Sequence, residues 1–165
     1  MTLAAAILAG LMAQAPATGL PGDCPRVSLS YSGGLGGEAR GGLVFALWDS
    51  GAVVRAARFD APDKAHVVGT ATPGDVRALV DAVMDSTFWE GEALLALDLG
   101  YYTLWVQRAD GTRLGRSETR DVRLSPALEA IRQRAFDLAL GDARRISVPI
   151  DEGRWQCPGT IQKDE

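Results

Sequence analysis

Asparagine is absent from this 165-residue chain, lysine occurs only at Lys64 and Lys163, histidine only at His66, and cysteine only at Cys24 and Cys157. A single histidine excludes the multi-histidine metal centres of hydrolases, and two thiols so distant in sequence do not build a zinc ribbon. The sequence therefore offers no metal site and no cofactor. Any Ser-His-Asp system would have to use His66. No serine stands in a G-x-S-x-G elbow, and the nearest approach, Gly115-Arg116-Ser117-Glu118-Thr119, lacks the second glycine. Basic clusters are scarce too: 17 Lys and Arg stand against 21 Asp and Glu, for a net charge of −4, and Arg144-Arg145 is the basic doublet that stands out. That balance excludes a general electrostatic footprint on nucleic acid. The shortage of lysine and asparagine beside plentiful alanine, glycine and arginine marks a GC-rich bacterial genome, not a physical requirement.

Long apolar runs are missing as well. The stretch Leu3 to Met12 is about ten residues long, too short to span a bilayer, so no stable transmembrane anchor is expected. The first seventeen residues carry no charged side chain, and both Ala13-Gln14-Ala15 and Ala15-Pro16-Ala17 match an A-x-A cleavage pattern. Residues 1–17 read as a secretory signal peptide, with cleavage after Ala17 sparing Pro16 an unfavourable position. An apolar N-terminal helix is the other reading, because the segment lacks the usual Lys or Arg. Pro21-Gly22-Asp23 before Cys24 is not the small, apolar lead of a lipoprotein cysteine. The chain is expected in the periplasm or secreted. There, Cys24 and Cys157 read as a disulfide that tethers extensions at both ends, with two unrelated buried thiols as the alternative.

Glycine is what the sequence has in excess. Six of the ten residues from Gly33 to Gly42 are glycine. They follow an alternating strand, Arg26 to Ser32, and precede another, Leu43 to Trp48. The fragment Gly34-Leu35-Gly36-Gly37-Glu38-Ala39 formally matches G-x-G-x-x-G/A. A dinucleotide fingerprint must open a helix so that the pyrophosphate meets the helix N-terminus, and here a strand follows. Asp49-Ser50-Gly51 turns the chain into a third strand, Ala52 to Phe59. Asp60 to Gly69 reads as a connection, with His66 a surface or turn residue within it.

Thr72-Pro73-Gly74-Asp75 combines an N-cap, a first-position proline and an acid three residues after the cap. Val76, Leu79, Val80 and Val83 then recur at helical spacing, and the helix ends near Ser86. The segment Glu90 to Gly100 is ambiguous between loop and irregular strand. Tyr101 to Arg108 alternates as a strand, Asp110-Gly111 turns it, and Thr112 to Ser117 returns. Ser125-Pro126 opens a second helix with an inner stripe of Leu128, Ile131, Ala135 and Leu138, stopped at Gly141. The order β-β-β-α-β-β-α predicts an α+β fold: an antiparallel sheet of about five strands with two helices packed on one face. One domain, residues 18–165, is expected.

Two groups of side chains invite chemistry. Glu90, Glu92 and Asp98 could divide general-acid and nucleophile roles if their environments differed; solvated loop acids are the plainer reading. Trp48 and Trp105 lie on strands and would form an exposed aromatic patch for a protein partner if both faced away from the helices. Otherwise they pack under the tail or a crossing loop. Neither group makes a catalytic set, and the chain reads as a binding protein and not an enzyme.

The run from Arg26 through Tyr31-Ser32-Gly33-Gly34-Leu35-Gly36-Gly37 resembles the opening of the emfourin family of protealysin inhibitors and of related exported bacterial domains of unknown function. The similarity continues through a capped helix ending in Phe88-Trp89, a Tyr102-Thr103-Leu104 strand and the helix opened by Pro126, over about residues 26 to 140. It departs from the pattern at Leu35, where an aromatic is usual, in the longer segment from Gly41 to Ala71, and in the signal peptide and cysteine-bracketed ends. The resemblance implies a small α+β fold and slow, tight inhibition of thermolysin-like metallopeptidases. The expected partner is thus another protein, either a peptidase or a cell-envelope complex. Expected contacts are Gly33, Gly34, Leu35, Gly36 and Gly37, with Trp48 or Trp105 nearby.

Overall fold

The computed structural model describes residues 20–33, 41–90, 100–119, 124–147, 150, 155 and 157. The expected signal peptide lies outside them. Seven strands form one antiparallel sheet: β1 (Val27–Ser32), β2 (Gly42–Leu47), β3 (Ala52–Ala56), β4 (His66–Thr70), β5 (Tyr101–Gln107), β6 (Arg113–Thr119) and β7 (Gly141–Ile146). Their order across the sheet is β6-β5-β1-β2-β3-β4-β7. Two helices, α1 (Pro73–Met84) and α2 (Pro126–Asp137), and a short 3-10 turn at Thr87–Trp89 complete the secondary structure of the described residues.

The α+β class is as expected, but the sheet has seven strands, not about five. The two additions are β4 and β7, which pair with each other. Asp60 to Gly69 is therefore only partly a connection. Gly141, expected to stop α2, instead begins a strand.

Both helices start where their caps require. The Thr72 hydroxyl accepts from the Asp75 N–H at 3.2 Å, and the Ser125 hydroxyl accepts from the Leu128 N–H at 3.2 Å. Each cap satisfies one of the amide groups left without an intrahelical partner. The buried stripes, Val76, Leu79, Val80 and Val83 on α1 and Leu128, Ile131 and Ala135 on α2, pack on one face of the sheet. Strand alternation presents Val27, Leu29 and Tyr31 of β1 and Tyr102, Leu104 and Val106 of β5 to them. The β1–β2 register slips so that Leu29 faces Phe45 and Ser30 faces Leu43, leaving Val44 as an extra residue. Val44 and Phe45 consequently both enter this helix-side core, while Leu43 turns to the other face.

α2 ends at Asp137, where Leu138 leaves the helical conformation, and its last carbonyls find a partner on the sheet. The Arg55 guanidinium of β3 donates to the carbonyls of Ala135 at 3.5 Å, Phe136, and Leu138 at 3.4 Å. A cation at a helix C-terminus also complements the helix dipole.

The second face has its own core, made of Leu20, Leu43, Ala46, Trp48, Val54, Val68, Ile150 and Trp155. Residues from both ends of the chain supply its cover. Cys24 and Cys157 form a disulfide across 133 residues, with their Cα atoms 5.5 Å apart. The indole N–H of Trp48 donates to the Asp23 carbonyl at 3.0 Å, and that of Trp155 donates to the Pro21 carbonyl at 3.1 Å. No helix among the described residues is long and apolar enough to cross a membrane.

Candidate functional site

The strand registers gather several connections at one end of the sheet. Ser32 at the end of β1 pairs with Tyr101 at the start of β5, which pairs with Thr119 at the end of β6. Tyr31 faces Gly42, and Ala56 at the end of β3 faces His66 at the start of β4. The glycine-rich connection after Ser32, the β3–β4 connection and the segment leading into β5 therefore all emerge together. Gly33 and Gly41 lie at the mouth of the first; Gly34, Leu35, Gly36 and Gly37 fall outside the described residues, as do Glu92 and Asp98.

This end is stiffened from below. Tyr31 and Tyr102 lie 4.9 Å apart between ring centroids, Phe59 stacks on Tyr102 at 5.5 Å with planes 10° apart, and Phe136 meets Phe59 edge-on at 6.1 Å. The Arg132 guanidinium sits 4.5 Å above the Phe59 ring and pairs with Glu129, which lowers the Glu129 carboxyl below its ordinary value chiefly through that hydrogen bond. Such contacts add to simple burial. The connections also touch closely. A side chain on Gly42 would come within 2.7 Å of the Pro62 carbonyl oxygen, and one on Gly100 would strike the Tyr31 ring. Glycine at these two positions is thus demanded by packing.

The aromatic stack was only half visible in the sequence. Tyr31, Phe59 and Tyr102 stand on or beside predicted strands, but their meeting with Phe136 depends on how α2 crosses the sheet.

His66 is a correction. It is fully buried in β4 and not a surface or turn residue. Its Nδ1 accepts from the Ile150 N–H at 3.3 Å, so Nε2 carries the proton and donates to the Leu43 carbonyl at 2.8 Å. Both ring nitrogens are held by backbone groups, leaving neither to activate a nucleophile. Burial, partly offset by the Leu43 hydrogen bond, pushes the ring below its ordinary value of 6.5. The sign follows directly. The unfolded chain takes up a proton near pH 6.5 that the folded chain refuses, so stability is full above that pH and falls as the pH drops below it. Urea unfolding of the native protein should lose stability progressively as the pH falls below about 6.5, and His66→Gln should flatten that slope. A slope retained in the variant would assign it to other groups.

Trp48 and Trp105 do share the face away from the helices, since both alternate with residues of the helix-side core. They have different surroundings. Trp48 is 2% exposed beneath the chain ends and meets Trp155 edge-on at 5.0 Å. Trp105 is half-buried in β5 opposite Ser28, four residues before Ser32, with the Arg113 guanidinium 4.5 Å from its ring centroid. Neither joins the glycine-rich end. Glu90 is exposed, and its backbone carbonyl accepts from Arg116 at 2.8 Å. Among the described residues, no three His, Cys, Asp or Glu side chains cluster as a metal site.

No protein family, no curated protein and no solved structure matches this chain.

Proposed function

We propose that this chain is an exported, non-catalytic binding protein that inhibits a thermolysin-like metallopeptidase by inserting the Gly33-Gly34-Leu35-Gly36-Gly37 turn into the peptidase cleft. The observation that carries this reading is the base of that turn: it leaves β1, an inner strand of the sheet, beside the Tyr31–Tyr102–Phe59 stack. A loop whose stem is already fixed loses less freedom on binding, which is how a small backbone contact gains affinity. The resemblance to emfourin-like inhibitors supplies the peptidase class, and the disulfide suits an oxidising compartment. His66 is engaged by the backbone, so it does not support a histidine-dependent hydrolase.

Titration of a panel of thermolysin-like metallopeptidases tests the proposal. Added protein should abolish the activity of at least one member near a one-to-one ratio, with slow onset in progress curves. Unchanged activity across the panel would overturn it.

The second reading is a structural or accessory subunit of a cell-envelope assembly, favoured by the exposure of Tyr101 on the outer sheet face. It predicts co-purification with a larger complex from envelope extracts, and a free monomer there would count against it.

A further inference from the structure

The two nitrogens of the buried His66 ring are bound to partners of different kinds. Nε2 donates to the Leu43 carbonyl of β2, and to reach it the ring spans β3, where Ala56 stands directly opposite His66. Leu43 is fixed in the sheet, paired with Ser30 of β1. Nδ1 accepts from the Ile150 N–H at 3.3 Å, and Ile150 belongs to no strand. It lies beyond β7, in the C-terminal part of the chain that covers the second core. The ring thus ties the sheet to its cover.

Protonation breaks only one of these bonds. Nε2 already carries a proton, so an added proton goes to Nδ1 and turns that atom from acceptor to donor. Two buried donors, Nδ1–H and the Ile150 N–H, then face each other, while the Leu43 bond keeps its donor and gains a charge. The conflict falls on the one partner outside the sheet ladder. The neighbouring side chains leave the ring as the group that titrates. Ala56 and Val54 of β3 and Ile146 of β7 share its face, and the second core around it is apolar. On β7, Arg144 opposite Val68 is a cation on that face, and Asp142 lies at the strand's far end. Arg55 and Arg145 alternate to the other face, and Lys64 pairs with Asp63 at 3.0 Å in the β3–β4 connection. Asp151 and Glu152 lie outside the described residues; a carboxylate there shifts the midpoint but does not remove the donor conflict.

From this arrangement we infer that the His66–Ile150 hydrogen bond is an acid-released latch: a proton on Nδ1 frees the Ile150 side of the cover, while the Cys24–Cys157 disulfide and Trp155 hold the other side. Those other anchors, a covalent bond and an indole N–H on the Pro21 carbonyl, do not titrate. Burial keeps the ring neutral and the latch shut at neutral pH. Below about pH 6.5 the open form binds a proton that the closed form refuses. The closed-to-open ratio therefore falls by close to tenfold per pH unit, until the closed ring itself takes the proton. This is distinct from the loss of overall stability in acid, because one side of the cover opens in a chain that is still folded. The latch is separate from the glycine turn and does not rest on peptidase inhibition.

Amide hydrogen exchange of the disulfide-bonded full chain tests it, followed by NMR and corrected for the intrinsic pH dependence of exchange. The Ile150 N–H should be protected at neutral pH and lose close to tenfold of that protection per pH unit below about 6.5. The amides of β1 and β5, inner strands of the sheet, should stay at least about a hundredfold better protected at every pH. His66→Gln retains a donor and an acceptor but does not titrate, so its Ile150 protection should not vary with pH. If that variant does not fold, Ile150→Pro removes the N–H, and the His66 ring signals should then titrate closer to 6.5 than in the native chain. Five results would each overturn the inference: an unprotected Ile150 N–H at neutral pH, protection indifferent to acid, protection equal to that of β1 and β5, a pH dependence retained in folded His66→Gln, or an unmoved ring titration in Ile150→Pro.

Discussion

Replacing Cys24 and Cys157 together with serine lowers stability by about 2–5 kcal/mol and uncovers the second face of the sheet. The chain-entropy account places the upper figure: closing a loop of this length removes roughly 5 kcal/mol of disorder from the unfolded state. The native contacts explain why the effect is also local. Cys24 lies beside Asp23, whose carbonyl accepts from Trp48, and Cys157 lies two residues past Trp155. Leu20, Ile150 and Trp155 are 3–4% exposed only while both chain ends lie over β2, β3 and β4. The double variant should therefore unfold at lower urea and show red-shifted tryptophan emission before the main transition. The native protein in reducing agent should do the same. An unchanged midpoint would mean that side-chain packing holds the ends without the bond.

Trp48→Ala costs about 3–5 kcal/mol, the range for emptying a large aromatic site in a core. Trp48 is among the largest fully enclosed side chains, and its indole N–H is satisfied by Asp23. Its removal leaves a cavity against Trp155, an unpaired carbonyl at Asp23 and looser chain ends. Trp48→Phe should recover part of the loss by refilling the space without the hydrogen bond. Trp105→Ala should cost less than half as much, since that ring is half-buried and rests on a strand bearing a glycine. Urea unfolding of the three variants checks the order. Equal losses for Trp48→Ala and Trp105→Ala would contradict the different surroundings of the two rings on the second face of the sheet.

The caps, the tight turns and the alternating strands were legible because each is a local decision. Thr72 and Ser125 cap the helices they precede, and Asp49-Ser50-Gly51 and Asp110-Gly111 turn the hairpins they interrupt. β4 was hidden by two residues that read as loop formers. Gly69 is required because a side chain there would come within 2.9 Å of the Gly141 carbonyl oxygen, and His66 is buried because Ile150 crosses over it. Neither cause is local. β7 was hidden for the opposite reason. It is an edge strand whose residues are exposed on both faces up to Ile146, so no alternation marks it. Asp142 at φ 49° and the register slip opposite β4 blur it further. The placement of Trp48 shows the same limit. Alternation puts it on the correct face, but only the disulfide and the chain ends decide that it is covered.

The glycine turn is the element on which the functional account depends, and one comparison addresses it most directly. A thermolysin-like metallopeptidase inhibited by the native protein is titrated with Leu35→Asp and with Trp48→Phe, each first checked for cooperative unfolding. The account predicts that Leu35→Asp loses inhibition by at least about a hundredfold, the effect expected of a charge forced into a desolvated contact, while Trp48→Phe still inhibits near one to one. Full inhibition by Leu35→Asp would contradict it.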